Sequence, residues 1–324
     1  MTAWLDALND AWDELAQTAP VARQFRTKLI STEVSLDILA GMRAVDNAPC
    51  LLLETSAEPD ALFELGGMRL SSVPDDASAF LVLSLEDGNR RDLFATICAD
   101  VVAAAAQAGR SHALAHFVAR LDAWRHFLRD RRDGLSGEET IGLVGELMIM
   151  EELVAIEARL QTCWAAPADG LHDFLREGHA LEVKTSLGPT TRVRISTLDQ
   201  LETTGLHRLD LVHVRLVEAS DGRTLDTLLG DIQTHLPDEA SRRDFANALL
   251  RRGLMPDDAV ARTSLRFKLR AMDTYRVQED FPRLSRATVP AAVIEAVYQL
   301  DRRAIEPFAT DSRMAMELFA GRAA

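Results

Sequence analysis

Within Leu181-Glu182-Val183-Lys184-Thr185 a carboxylate and a lysine lie two positions apart, in a run where apolar and polar residues alternate. On a strand that spacing sends Glu182 and Lys184 to one face and Leu181 and Val183 to the other. Upstream, His172-Asp173-Phe174 sets a second carboxylate at the start of a preceding strand, with a tight turn at Glu177 to His179 between the two segments. A hairpin then brings Asp173 close to Glu182. Two facing carboxylates repel and raise a pKa, whereas a hard divalent ion with oxygen ligands turns the same pair into a binding site. Mg2+ fits best, because it typically uses one or two carboxylates and leaves its other positions to water and phosphate; Mn2+ can substitute. The chemistry implied is phosphodiester hydrolysis, with the metal acidifying a water and Lys184 orienting that water and offsetting transition-state charge.

A glutamate-x-lysine triplet alone is weak evidence, so its neighbours matter. Lysine occurs only at Lys28, Lys184 and Lys268, against 33 arginines. In so arginine-rich a chain a lysine needs a reason, and the compact, pKa-shiftable ammonium is something arginine cannot supply. Glu146 is a third candidate, since Gly142, Leu143, Ile149 and Met150, three and four positions away on a helix, are apolar or glycine. A glutamate on that packed face needs a partner, either a metal or metal-bound water in the adjacent sheet or an arginine in a buried salt bridge. Gln200 follows the third strand and could point back at the site. Thr185 and Ser186, just past Lys184, could contact phosphate or be ordinary strand-end hydroxyls.

The elements that must position these residues form an α/β order. Ser136 and Glu139 have capping-box spacing, which predicts a long helix from there to about Leu160. Short strands are expected at Leu171 to Leu175, Ala180 to Ser186 and Arg192 to Ser196, then a short helix near Leu198 to Thr203 and a strand at Asp210 to Val217. Helix, three-strand meander, helix, strand packs a small sheet between helices, giving a core over 136–222. Before it, 1–110 reads as a mixed α+β N-terminal domain, with strands near Leu36 to Met42, Cys50 to Glu54, Leu62 to Leu70 and Ala79 to Leu85, and a helix from Arg90 to Gln107 ending at Ala108-Gly109. A connecting helix within 111–135, from Ala113 to Arg131, carries Trp124, His126 and a basic end from Arg125 to Arg132, before a turn at Asp133-Gly134. The remainder, 223–324, reads as mostly helical: Leu225 to Leu236, Glu239 to Arg252 and Pro290 to Arg303.

Gly142-Leu143-Val144-Gly145-Glu146-Leu147, His172-Asp173-Phe174, Leu181-Glu182-Val183-Lys184-Thr185 and Ser196 to Leu201 together resemble a bacterial family of uncharacterised proteins classed with the PD-(D/E)XK nucleases. The resemblance covers about Ser136 to Val217 well and the rest loosely. It implies a restriction-endonuclease-like core. By that resemblance Asp173 and Glu182 are metal ligands, Lys184 the catalytic lysine and Glu146 the helix acid. The expected metal set is Asp173, Glu182, Val183 and Glu146, and Gln200 is counted with the catalytic residues from its position after the third strand. A setting among prokaryotic defence and restriction-modification components is implied too. The proline of the superfamily's name is His172 here; it is not a ligand, and His172 either packs or contacts phosphate.

A net charge of -14 runs against a nucleic-acid partner, since phosphate contacts need basic groups. The acidity is uneven, however: Met1 to Asp100 holds 7 basic against 17 acidic residues, and Ala240 to Arg286 holds 11 against 6. Arg262, Arg266, Lys268 and Arg270, with Arg242, Arg243, Arg251 and Arg252, could track phosphate; on a strand, Arg266, Lys268 and Arg270 would line one face. Cys50, Cys98 and Cys163 lack the close spacing of zinc or disulfide frameworks, and His112, His116, His126 and Cys163 have no local support as nucleophilic machinery. No run of roughly 18 apolar residues is present, so a cytoplasmic protein with no membrane span is expected. Double-stranded DNA is the expected partner, with a homodimer or partner proteins of a defence system as further possibilities. The rival class is a non-cutting member of the same fold serving as a DNA-binding or assembly subunit.

Overall fold

Short apolar runs separated by turn residues dominate the front of the chain, and they pair into one antiparallel sheet. The computed structural model describes residues 2–19, 24–30, 36–55, 62–75, 78–108, 112–130 and 134–322. It divides the chain into two compact units, Met1–Arg132 and Asp133–Ala324. The first opens with a helix that the sequence reading did not anticipate, α1 (Thr2–Gln17), whose Trp12 and Leu8 are buried. Strands β1 (Phe25–Leu29), β2 (Ile38–Arg43), β3 (Pro49–Thr55), β4 (Phe63–Leu65), β5 (Met68–Asp75) and β6 (Ser78–Leu85) follow, in sheet order β1-β2-β3-β6-β5-β4. The expected single strand from Leu62 to Leu70 is a hairpin instead. Gly66 and Gly67 both take positive φ, a two-residue turn open to glycine that folds β4 onto β5.

Helices α2 (Arg91–Ala106) and α3 (Ala113–Asp130) complete this unit. The expected connector α3 packs along α2: Asp100 accepts hydrogen bonds from Trp124 Nε1 at 2.7 Å and Arg120 Nε at 2.6 Å. It is therefore part of the first unit's core rather than a linker. The expected helix end at Gly109, the basic end at Arg131 and Arg132, and Asp133 of the expected turn lie outside the described residues.

The second unit begins with α4 (Gly137–Ile156), and the expected capping box is present: Ser136 Oγ accepts from the Glu139 N–H, and Glu139 Oε2 accepts from the Ser136 N–H. Then come β7 (Phe174–Arg176), β8 (His179–Leu187), β9 (Arg192–Ile195), β10 (Arg208–Arg223), α5 (Leu225–His235), α6 (Glu239–Arg251), α7 (Ala259–Thr263) and β11 (Phe267–Arg276). The chain closes with β12 (Tyr298–Asp301), α8 (Arg302–Ile305), β13 (Ala309–Thr310) and α9 (Ser312–Phe319). The main sheet runs β13-β11-β10-β8-β7, with β10 parallel to β8 and antiparallel to β11. Leu181 and Val183 join Leu143, Val144, Leu147 and residues of α5, α6 and α9 in one core; Ala180 and Leu211 face a second core with Val193, Ile195 and Leu300.

Three expectations are corrected. The third strand does not continue the meander: β9 leaves the sheet and pairs with β12, because Val193, Ile195 and Leu300 bury together over the opposite sheet face. The short helix near Leu198 to Thr203 is a series of turns. The region after residue 222 is not mostly helical, since β11 is an interior strand of the sheet and the span from Pro290 to Arg303 is irregular until β12. There, strand pairing with β9 overrides local propensity, as happens when cross-strand burial decides the outcome.

Gly145 sets the distance between α4 and β8. A Cβ there would lie 1.8 Å from Thr185 Oγ1, so only glycine permits this approach, whereas a Cβ at Gly142 on the same helix would meet no other described residue within 4 Å. Gly145→Ala is expected to cost about 1–3 kcal/mol from forced separation. Gly142→Ala is expected to stabilise by up to about 1 kcal/mol from helix propensity. Urea denaturation of both variants checks this; equal effects would contradict the close approach.

Candidate functional site

The β7–β8 hairpin is built by Glu177 and Gly178, both at positive φ, so Arg176 pairs with His179 and Phe174 with Leu181. β7 ends its pairing one residue after Asp173, and the side chain takes over: Asp173 Oδ2 accepts the Val183 N–H at 2.7 Å. Its carbonyl is fixed as well, accepting from Ala165 N at 2.8 Å and Ala166 N at 3.2 Å. Asp173 is thus held at both ends beside Glu182. Burial first, and then the Glu182 and Glu146 charges, push its carboxyl well above the usual carboxylate range.

Glu182 is 2% exposed. Its Oε1 accepts from Lys184 Nζ at 2.6 Å, as alternation on β8 requires, and its Oε2 lies 3.6 Å from His172 Nδ1. His172 is itself buried, and neither ring nitrogen has a hydrogen-bond partner among the described residues. Sequence reasoning left it between packing and phosphate contact. Its place beside Glu182 could have been read from its position next to Asp173 in the hairpin.

Glu146 is buried on α4, as its apolar helical neighbours implied, and the partner it receives is an arginine. Arg252, just past the end of α6, donates from Nε to Oε2 at 3.0 Å and from Nη2 to Oε1, and Trp164 Nε1 adds a bond at 3.0 Å. The buried salt bridge that the sequence left open as one of two partners is thus present. Arg252, grouped above with the basic tail, is therefore directed inward.

Gln200 is not brought to the carboxylates by any hydrogen bond; its Oε1 caps the turn after β9 by accepting the Ser196 N–H at 2.8 Å. Thr185 Oγ1 is buried against Gly145 with no hydrogen-bond partner among the described residues, on the face of β8 opposite Glu182 and Lys184. Ser186 shares their face and meets His213 Nε2 at 3.0 Å. His213 is the register partner of Lys184 on the parallel neighbour β10, and sequence reasoning missed it inside an apolar strand. The row of Arg266, Lys268 and Arg270 does not form: the pairing with β10 skips Arg270, a bulge that breaks the alternation, and Lys268 binds Asp221 at 2.5 Å.

The family model described as "Putative PD-(D/E)XK family member, (DUF4420)" matches residues 8–302. The chain belongs to that family. DUF4420 spans both units, so the first unit is part of the family's common architecture. The description associates it with a nuclease superfamily whose members typically use divalent metals. No curated protein and no solved structure matches the chain. In this DUF4420 member no helix among the described residues is long and apolar enough to cross a membrane.

Whether the site suits a divalent cation can be judged from its donors. Among the described residues no group of three or more His, Cys, Asp or Glu is arranged to hold a metal. Asp173 and Glu182 are nevertheless close enough for their charges to oppose each other. Two carboxylates fit a hard cation that keeps several waters better than one needing a closed protein cage. Val183, whose N–H donates to Asp173, has its carbonyl oxygen as the one atom able to ligate a cation.

Asp173→Asn removes the opposed charge while keeping an acceptor for Val183. Because the folded state raises this carboxyl, its ionised form costs stability above the ordinary carboxylate pKa. Metal-free Asp173→Asn is therefore expected to melt a few degrees higher than the wild type at pH 7, in scanning calorimetry; a lower melting temperature would contradict the opposed-charge geometry. Arg252→Ala leaves Glu146 buried without its counter-charge, with Trp164 Nε1 as its remaining donor, at a cost of about 3 kcal/mol. Adding Glu146→Gln is expected to recover most of that loss in urea titrations, and no loss in the single variant would contradict a stabilising pair.

Proposed function

We propose that the chain is a metal-dependent endonuclease that hydrolyses DNA phosphodiester bonds, with Mg2+ held by Asp173 and Glu182 and Mn2+ able to substitute. The observation that carries this reading is the hairpin placing Asp173 beside Glu182, with Lys184 Nζ 2.6 Å from Glu182 on the same strand face. Membership of DUF4420 supports it. A divalent cation bound there supplies Lewis-acid polarisation of the phosphate and lowers the pKa of water.

The chain's own residues do the rest. Lys184 keeps its ammonium at the edge of the buried carboxylates, where it can orient the attacking water and offset charge as the phosphorane develops. The Val183 carbonyl is the third ligand in this reading. Glu146 acts through its field on Asp173 and, with Arg252 and Trp164 on its oxygens, as a fixed brace between α4 and the end of α6 rather than as a metal ligand. No step is assigned to Gln200. A single site cutting both strands of a duplex calls for two copies or sequential cuts, and the defence and restriction-modification setting implied by the family resemblance would supply protein partners.

Cleavage of plasmid, linear and single-stranded DNA in Mg2+ or Mn2+ tests the proposal. Asp173→Ala and Lys184→Ala are each expected to lower the rate by about 100-fold or more. Metal-dependent cutting unchanged in both variants would overturn the assignment. A wild type that binds DNA without cutting it would favour a non-catalytic subunit.

A further inference from the structure

Many arginines of the second unit are paired with its own carboxylates: Arg252 with Glu146, Arg223 with Glu151 and Asp231, Arg208 with Asp210, and Arg215 with Asp273. One recess differs. It has a volume of about 330 Å3 and opens beside Lys184, with Ser186 and His213 from the sheet, Arg192 and Arg194 from β9, and Gln299 from β12 among its lining. Among the described residues no carboxylate lines it, in a chain whose net charge is -14. A lining of cations and neutral polar groups in so acidic a protein selects for an anion.

The departure of β9 from the sheet is what builds this recess. Val193 and Ile195 are buried while Arg192 and Arg194 are exposed, so two guanidinium groups project from the same side of β9. Strand geometry sets their Cα atoms about 6.5 Å apart, comparable to the separation of neighbouring phosphates in one nucleic-acid strand. Gln299 pairs with Arg194 across the β9–β12 ladder, and its Oε1 accepts from Arg192 Nη1 at 3.4 Å. Arg194 has a loose ion pair with Glu138 at 3.6 Å, with both side chains mostly in solvent, and such a pair yields readily to phosphate. On the sheet side, His213 is 1% exposed and bonded to Ser186, and burial holds its pKa down at about 4. It is therefore a neutral, fixed wall next to the Lys184 ammonium.

We propose that this recess is a phosphate subsite that grips the backbone of the nucleic-acid strand beside the phosphodiester being cut, with Arg192 and Arg194 as ligands and Gln299 as a positioning residue. The inference rests on the nuclease reading above and extends it from the scissile phosphate to its neighbour. Guanidinium forks suit phosphate oxygens, and contacts of this kind set the register of a strand without reading its sequence.

The test is binding of fluorescein-labelled duplex and single-stranded oligonucleotides, by anisotropy across a salt series, in full-length protein carrying Asp173→Asn so that binding is separated from cutting. Adding Arg192→Gln with Arg194→Gln is expected to weaken binding at least tenfold and to flatten the salt slope by about 1.5. Arg266→Gln with Lys268→Gln, an equal loss of charge elsewhere, is expected to change affinity less than twofold. Equal weakening by both pairs, no weakening by the first pair, or no binding at all would overturn the subsite. Wild-type cutting in Mg2+ is scored separately. A protein that cuts with unaltered binding in the first pair loses the subsite and keeps the nuclease, and one that binds through these arginines without cutting does the reverse.

Discussion

Two carboxylates are forced together where water is scarce, and much of the second unit is organised around that contact. Asp173 cannot retreat, because its side chain completes the ladder on Val183 and its carbonyl is tied to Ala165 and Ala166. Glu182 cannot turn away, because strand alternation fixes its face and Lys184 holds one oxygen. Burial first, and then the repulsion of Glu182 and Glu146, raise the Asp173 pKa, a cost that a bound cation would relieve. Unfavourable electrostatics of this kind mark a functional site more often than a structural one.

The surrounding architecture keeps that contact in place from both sides of the sheet. On one face Gly145 lets α4 lie directly on Thr185, and Glu146, a residue further on, is bonded to Arg252 and Trp164. That ion pair couples the helix to the end of α6 and adds a third negative charge near Asp173. On the other face β9 and β12 cover the sheet with Val193, Ile195 and Leu300 while keeping Arg192 and Arg194 at the surface. Packing and charge thus have separate faces of β8: Leu181, Val183 and Thr185 face the helices, and Glu182, Lys184 and Ser186 face the site.

What the sequence made legible follows from which signals are local. The capping box at Ser136, the Glu177-Gly178 turn and the alternation through Leu181 to Lys184 each depend on a few consecutive residues, and each appears as expected. Glu146 was readable as buried from its helical neighbours, but its partner lies 106 residues away and could not be chosen from spacing. Non-local pairing also explains the misreadings. The β9–β12 ladder joins strands that no local pattern links, so β9 forms where expected but pairs outside the meander, and β12 takes the place of part of the helix expected from Pro290. Arg270 read as one of three aligned cations because a bulge leaves no mark on alternation in sequence. His213 was hidden for a related reason: in Leu-Val-His-Val-Arg it reads as part of a core strand, and only the parallel register with β8 places it next to Lys184.

The most direct measurement is a calorimetric titration of Mn2+ into the metal-free wild type, Asp173→Asn and Glu182→Gln, with Mn2+ electron paramagnetic resonance as a second readout. The account predicts one specific Mn2+ per wild-type chain and loss of that binding in each variant. Binding that is absent from the wild type, or unchanged in both variants, would contradict the claim that these two carboxylates form a cation site.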